Sequence, residues 1–252
     1  MPQLSVITTV YNCEKYLRDS IKSALNQTFR DFEMIIINDG STDSTGKIVN
    51  EHLRDTRIRY IYHSENKKIP TRRNEAIRMA RGQYIAIHDG DDISEPERFE
   101  EQVRFLKNNL DYFCVGGYAK KIDENGKAIG NMDYPPGHHH EILDSVIKKC
   151  MNPMIDPTTM FRREDFLNLG GYSTDKSIYT VPDMDLWLKA ILSGRKLINL
   201  QYPVIQYRMN PEGMTSLHKQ EMIRSHMSVW RKFMIGYMKQ QRSLENGKEN
   251  KT

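Results

Sequence analysis

Residues 84–96, YIAIHDGDDISEP, carry a strand-like apolar run straight into three carboxylates, Asp89, Asp91 and Asp92. Like charges this close repel, and burying one of them unpaired is costly. Either they face water or something positive sits among them. Upstream, the same order of strand and polar cluster occurs twice. LSVITTV (4–10) is short, β-branched and uncharged, as a buried strand is, and it leads to Thr9, Tyr11 and Asn12. FEMIIIN (32–38) is a second buried strand, leading to Asn38, Asp39 and Ser41.

Helical patterns separate these strands. Residues 14–27 place Leu17, Ile21, Ala24 and Leu25 on one face. DGSTDS is a turn with capping residues, and a helix follows over 47–54. RIRYIYH (57–63) is a third strand, 71–81 a helix with Gly82 as its C-cap, and QYIAIH (83–88) a fourth strand. Pro96 suits the first position of a helix over 96–108. This alternation predicts βαβ units, hence a parallel sheet with helices on both faces. After residue 110 the pattern becomes mixed. YFCVGGYAKKID and KAIGNM flank the hairpin signal Asn125-Gly126. Helices are expected over 139–149 and 183–192, strands at TTMFRR, KLINL and PVIQYRM, and a long helix over 218–240. No linker separates the halves. One domain over 1–215 is expected, as a first half (1–110) and a second half (111–215), then the helix at 216–240 and a disordered tail at 241–252.

Bulk composition agrees with a globular domain. The 252 residues are 38% hydrophobic and 28% charged, with a net charge of +4. That mild charge does not argue for a nucleic-acid partner, although it suits an anionic substrate or a membrane surface. No apolar run is long enough to span a bilayer, and MPQLSVITTVYN is not a signal-peptide pattern. Cys13, Cys114 and Cys150 are far apart and odd in number, which favours a reducing cytoplasmic setting over a disulfide framework.

Ligands of open parallel sheets bind outside the carboxyl ends of the strands. The three polar clusters therefore gather along one edge, with the carboxylates at the mouth of a site. Oxygen-only ligands select Mg²⁺ or Mn²⁺, and one or two carboxylates plus phosphate oxygens is the usual shell. A diphosphate is then the missing partner. The plainer alternative is that DGDD is a turn, with Asp92 or Ser94 capping the next helix. Phosphate-loop motifs are absent from the sequence.

SVITTVYN, SALNQTFRDFEMIIINDGSTDST and RRNEAIRMARGQYIAIHDGDD, in this order and spacing, resemble the family 2 glycosyltransferases over about residues 3–215. The resemblance implies a GT-A fold: an α/β, Rossmann-like, mostly parallel sheet flanked by helices, with a nucleotide-binding half, an acceptor-side half and the long C-terminal helix. It implies a UDP-sugar donor and a saccharide or lipid-linked saccharide acceptor. Thr9 and Tyr11 would line the base pocket, and Asp39 would accept a hydrogen bond from a uracil ring N–H. Asn66 and Arg73 would lie over the nucleotide. Asp89 and Asp91 match the DxD pair, with Asp91 as the metal contact and Asp89 facing the ribose. TVPDMDLWLKAI resembles the segment that carries the general base, which places Asp183 in that role and implies inversion at the anomeric carbon. Asp183 also reads simply as a helix N-cap.

Three positions depart from the family pattern: Pro182 where Glu is usual, Lys68 where Gly is frequent, and Asn210 where His is frequent. They leave open a binding module that has lost catalysis. A sugar nucleotidyltransferase is the other alternative, but TVYNCEKYL lacks its Gly-rich basic loop. His138-His139-His140 reads as a solvated helix start, His88 as a packed strand end, and Trp187 as core. The last helix carries Met227, Trp230, Phe233, Met234, Tyr237 and Met238 beside Arg231, Lys232 and Lys239. Such a face suits packing on the domain, a homodimer, or peripheral contact with the inner face of a membrane.

Overall fold

The computed structural model describes residues 1–249. The elements run β1 (Leu4–Val10), α1 (Leu17–Leu25), β2 (Phe32–Asp39), α2 (Thr45–His52), β3 (Ile58–His63), α3 (Ile69–Met79), β4 (Tyr84–Ile87), β5 (Ile93–Ser94) and α4 (Arg98–Asn108). They continue as β6 (Tyr112–Ile122), β7 (Ala128–Met132), α5 (His139–Lys149), a 3₁₀ turn (Asp156–Thr158), β8 (Met160–Arg162), α6 (Arg163–Asn168) and α7 (Pro182–Leu192). The chain then forms β9 (Lys196–Arg208), α8 (Met214–Leu217) and α9 (Lys219–Glu249).

Among the described residues the strands form one mixed sheet in the order β3-β2-β1-β4-β8-β6-β9-β5, with β7 paired to β6. β3, β2, β1 and β4 are mutually parallel, and β8 joins β4 antiparallel. Continuous apolar runs suit β1 and β2 because both of their faces are covered. Met34 and Ile36 enter one core with Leu17, Ile21 and Phe99, while Ile35 and Ile37 enter the other with Ile77, Phe161 and Trp187. Truncating one such isoleucine to Ala costs about 2–5 kcal/mol.

Several expected boundaries move. α3 begins at Ile69 and ends at Met79, with extended Ala80 as its C-cap, so Gly82 is not a cap. Gly82 serves a close approach instead, since a Cβ there would lie 2.5 Å from the Ser5 nitrogen. α4 starts at Arg98, two residues past Pro96. KLINL and PVIQYRM are one strand, β9, despite the internal Pro203. The register slips around Tyr118 where it meets Pro203, and such a bulge tolerates a residue without an N–H. α9 continues as helix to Glu249 through the region expected to be a disordered tail from 241, and 250–252 lie outside the described residues. One face of α9 packs on the domain through Val229 and Phe233, and Trp230 Nε1 donates to the Val146 carbonyl at 2.7 Å. Ile223, Ile235 and Met238 remain exposed. No described helix is long and apolar enough to cross a membrane.

Candidate active site

The register sets the ends of β1, β2 and β3 side by side, with Val10 opposite Asn38 and Asp39 opposite His63. The loop after β1 is tied to the DGSTDS turn. Asn12 N donates to Ser41 Oγ at 3.0 Å, Cys13 N to Thr45 Oγ1 at 2.8 Å, and Glu14 N to Asp43 Oδ2 at 3.1 Å. Asp43 also accepts from Thr45 N at the start of α2, the capping contact that the turn composition implied. Tyr11 stands at this edge, 51% exposed, and the buried Thr9 Oγ1 lacks a protein partner.

Asp39 is 5% exposed and held by three donors: Lys67 N at 2.9 Å, Lys68 N at 2.9 Å and Arg72 Nε at 2.6 Å. Lys67 N also reaches Oδ2 at 3.1 Å, so each carboxylate oxygen accepts two hydrogen bonds, and the longer branch of this shared N–H is the weakest of the four. The guanidinium beside Asp39 thus belongs to Arg72, whereas Arg73 turns elsewhere. Asn66 does not point away from this strap: its Oδ1 accepts from Lys68 N at 3.2 Å. Lys68 itself has φ +70° and ψ 158°, a conformation natural to glycine. That backbone explains why the resemblance puts Gly at this position.

Arg73 forms a bridge. Its Nη2 donates to Asp89 Oδ1 at 2.6 Å and its Nη1 to Asp156 Oδ2. Asp156 starts the 3₁₀ turn, and sequence reading missed it. Its only local mark is an Asp-Pro between two apolar stretches, and its partner is 83 residues away. Asp183 lies in the first turn of α7, where Asn152 Nδ2 donates to its Oδ2 at 2.9 Å. Val181 holds the N-cap position without a side-chain bond, so capping does not account for Asp183. Pro182 occupies the first helical position, which it suits. Burial raises the proton affinity of Asp183, and that of Asp156 as well.

Asp91 accepts from Asn210 Nδ2 at 3.2 Å. Burial, then the nearby Asp89, push its carboxyl up to about 6. Asp92 is 2% exposed, accepts from Arg208 N at 2.9 Å, and leaves Oδ2 without a partner. Burial raises its pKa well above the usual range. Arg208 also donates from Nε to the Asp91 carbonyl and from Nη1 to the Asp123 carbonyl, bracing the DGDD loop. The positive group paired with these carboxylates is therefore Arg73, on Asp89, while Arg208 braces the loop through its backbone N–H to Asp92 and its guanidinium on main-chain carbonyls.

Among the described residues no cluster of three metal-ligating side chains occurs. A hard cation at Asp91 would draw the rest of its shell from phosphate oxygens and water, which is ordinary for Mg²⁺ or Mn²⁺. The donor set fits such an ion: an oxygen ligand lacking a cationic side-chain partner. His88 is buried between Ser20 and Ser94, and burial lowers its pKa to about 4, so it is structural. Trp187 packs on Phe113 and Phe161 as core. His138 caps α5, and His139 Nδ1 accepts from Leu197 N.

A mixed sheet flanked by helices, with polar strand ends at one edge and carboxylates at its mouth, has the architecture of a GT-A fold. Comparison with known proteins gives the family. Residues 5–170 match Glycosyl transferase family 2, and the chain belongs to that family. EpsE of Bacillus subtilis (strain 168), which carries a glycosyltransferase name, is 35% identical over 210 residues, covering 82% of this chain and 73% of EpsE. The UDP-Glc:alpha-D-GlcNAc-diphosphoundecaprenol beta-1,3-glucosyltransferase WfaP of Escherichia coli is 30% identical over 224 residues, covering 89% and 84%. The mannosyltransferase PcManGT from Pyrobaculum calidifontis, solved with GDP-Man and Mn²⁺, superposes with a TM-score of 0.69 at 16% identity. It covers 91% of this chain, whereas this chain spans only 64% of that protein, and at such identity the likeness establishes the GT-A fold alone.

Proposed function

We propose that this chain transfers a sugar from a UDP-sugar to an acceptor hydroxyl with inversion at the anomeric carbon, in the synthesis of a surface polysaccharide or glycoconjugate. The observation that carries this reading is Asp91. It is a half-buried carboxylate at the site mouth whose side-chain partner is a neutral amide, Asn210. Such a group favours a bound cation over solvent. Mn²⁺ or Mg²⁺ bound there would neutralise the diphosphate and stabilise it as a leaving group.

The protein's own residues supply the rest. Asp39 accepts from a uracil ring N–H, which takes the place of the longer branch of the shared Lys67 N–H bond, while Thr9, Tyr11 and Asn66 frame the base. Asp89, held still by Arg73, faces the ribose. Asp183 accepts the acceptor's hydroxyl proton as the new C–O bond forms and the bond to the diphosphate breaks. WfaP, by its name, uses UDP-Glc and a diphosphoundecaprenol-linked acceptor, which supports a uridine donor and a lipid-linked acceptor here. The exposed apolar stripe of α9, beside Arg224, Arg231 and Lys239, supports peripheral contact with a cytoplasmic membrane face, and self-association uses the same stripe.

The test is calorimetric titration of UDP into the protein, with and without Mn²⁺, alongside Asp91→Ala and against GDP, CDP and dTDP. UDP is expected to bind tightest, and to weaken without metal or in the variant. Absence of nucleotide binding under every condition overturns the reading.

A further inference from the structure

The turn that presents Asp91 depends on one carbonyl. Asp89 O accepts from Asp92 N at 3.3 Å, which closes the turn Asp89–Asp92 with Asp91 in third place. The same oxygen accepts from the Ser20 hydroxyl of α1 at 2.8 Å. A serine hydroxyl has one hydrogen, and that of Ser20 goes to this carbonyl. Ser20 Oγ also lies 2.8 Å from His88 Nε2, so in that contact the imidazole donates. The Ser20 carbonyl, 3.1 Å from the same nitrogen, can only accept. Two contacts thus place a proton on Nε2. On the other side of the ring, Ser94 Oγ of β5 meets His88 Nδ1 at 3.1 Å and Arg98 Nη1 at 3.0 Å. A guanidinium can only donate, so Ser94 accepts from Arg98 and turns its own hydrogen to Nδ1. The ring is the neutral Nε2–H tautomer, which its burial and the nearby Arg98 charge also favour. Ser20, His88, Ser94 and Arg98 are all buried. The other Arg98 donors go to uncharged acceptors, namely Gln102 Oε1 and the Ile87 and Thr159 carbonyls. A buried cation at the head of such a series polarises every bond after it.

We propose that His88 is a positioning residue for the metal-binding turn: as the Nε2–H tautomer it orients Ser20, which holds the Asp89 carbonyl and with it the backbone that presents Asp91. This rests on the reading of Asp91 as the metal contact. The hydrogens run one way, from Arg98 through Ser94, His88 and Ser20 to Asp89 O. With Nε2 bare, the Ser20 hydrogen would swing to the ring and the carbonyl would lose its donor. The arrangement has a single direction, so the turn is set before any donor substrate or cation arrives, and Asp91 meets the cation without rearrangement.

The experiment titrates UDP into the full chain with and without Mn²⁺, for wild type, Ser20→Ala, His88→Asn and His88→Gln. A Gln amide can place an N–H where Nε2 stands, whereas an Asn amide ends at the Nδ1 position and leaves Ser20 without its donor. The gain in UDP affinity from Mn²⁺ is expected to fall about tenfold in Ser20→Ala and His88→Asn, and to stay within about threefold of wild type in His88→Gln. Affinity without metal depends on Asp39 and the base pocket and is expected to hold in all three. A histidine that only fills the strand end would lower the melting temperature and leave the Mn²⁺ gain alone. An unchanged gain in Ser20→Ala and His88→Asn, or equal losses in His88→Asn and His88→Gln, therefore overturns the proposal. Ser20→Ala removes a single hydroxyl and decides the matter even where the His88 variants do not fold. Nitrogen-15 spectra of the metal-free protein are expected to show a protonated Nε2 and a bare Nδ1, with the His88 signals identified by their loss in His88→Gln, and the opposite tautomer also overturns it. Wild-type UDP affinity that ignores Mn²⁺ sinks the metal reading of Asp91 instead, while the tautomer still decides the direction of the series.

Discussion

Asp39 and Asp91 both follow sheet strands at one edge of the site, and they are held in opposite ways. Asp39 is enclosed by two backbone N–H groups and the Arg72 guanidinium, with two hydrogen bonds on each oxygen. Asp91 has a single neutral amide, and burial beside Asp89 lifts it to about 6. A carboxylate fully occupied by its own protein is a fixed template, held in one orientation towards an incoming donor. A carboxylate short of partners remains available to a cation. One edge of a sheet thus yields a rigid reader and a receptive charge from the same residue type.

The sharpest break of this contrast is Asp91→Ala. Turnover is expected to fall about 10²–10³-fold, with the Mn²⁺-dependent part of UDP binding lost and thermal stability kept. Calorimetry and a melting curve check both halves. Asp39→Ala should do the reverse. It strips the buried Arg72 of one partner while Glu75 remains, at a cost of about 2–3 kcal/mol in denaturant titrations. UDP binding should then weaken equally with and without metal.

Acidification separates the two carboxylates next. The Mn²⁺-dependent share of UDP affinity should fall about tenfold per unit below pH 6, because protons and metal compete for Asp91. In the metal-free chain the linkage runs the other way. The folded pKa of Asp91 exceeds its unfolded value, so its stabilising contribution is present below about pH 4 and lost as pH rises through about 6. A smaller effect is expected for Asn210→His, which should tighten Mn²⁺ binding about tenfold or less by offering an imidazole beside Asp91. The smallest belongs to the strap on Asp39. Lys68→Gly should relieve a positive-φ backbone and raise stability by about 1 kcal/mol, with UDP affinity unchanged.

The first half of the fold was legible because buried parallel strands write themselves as unbroken apolar runs, which LSVITTV and FEMIII do. The second half was harder. β9 hides Pro203 inside a bulge, and β5 is only two residues long. Within the site, strand-end carboxylates stood out by composition. What surrounds them did not, because Asp39 is held largely by backbone amides that any residue could supply. Arg72 and Arg73 are adjacent in sequence and diverge in space, one to Asp39 and the other to Asp89 and Asp156. A linear pattern cannot assign such a fork, and Asp156 had no sequence partner to reveal it.

The bracing of the DGDD loop by Arg208 and Asn210 has a consequence for the birth of the protein. Those contacts reach back 117 and 119 residues along the chain. At translation rates of about 5–20 residues per second, on the order of ten seconds pass between synthesis of the loop and synthesis of its supports. Throughout that interval Asp89 already has Arg73, but Asp91 and Asp92 lack the contacts that Asn210 and Arg208 will supply. The polypeptide on the ribosome therefore cannot complete the DGDD loop early, and its final bracing arrives in a single late step, when β9 joins the sheet.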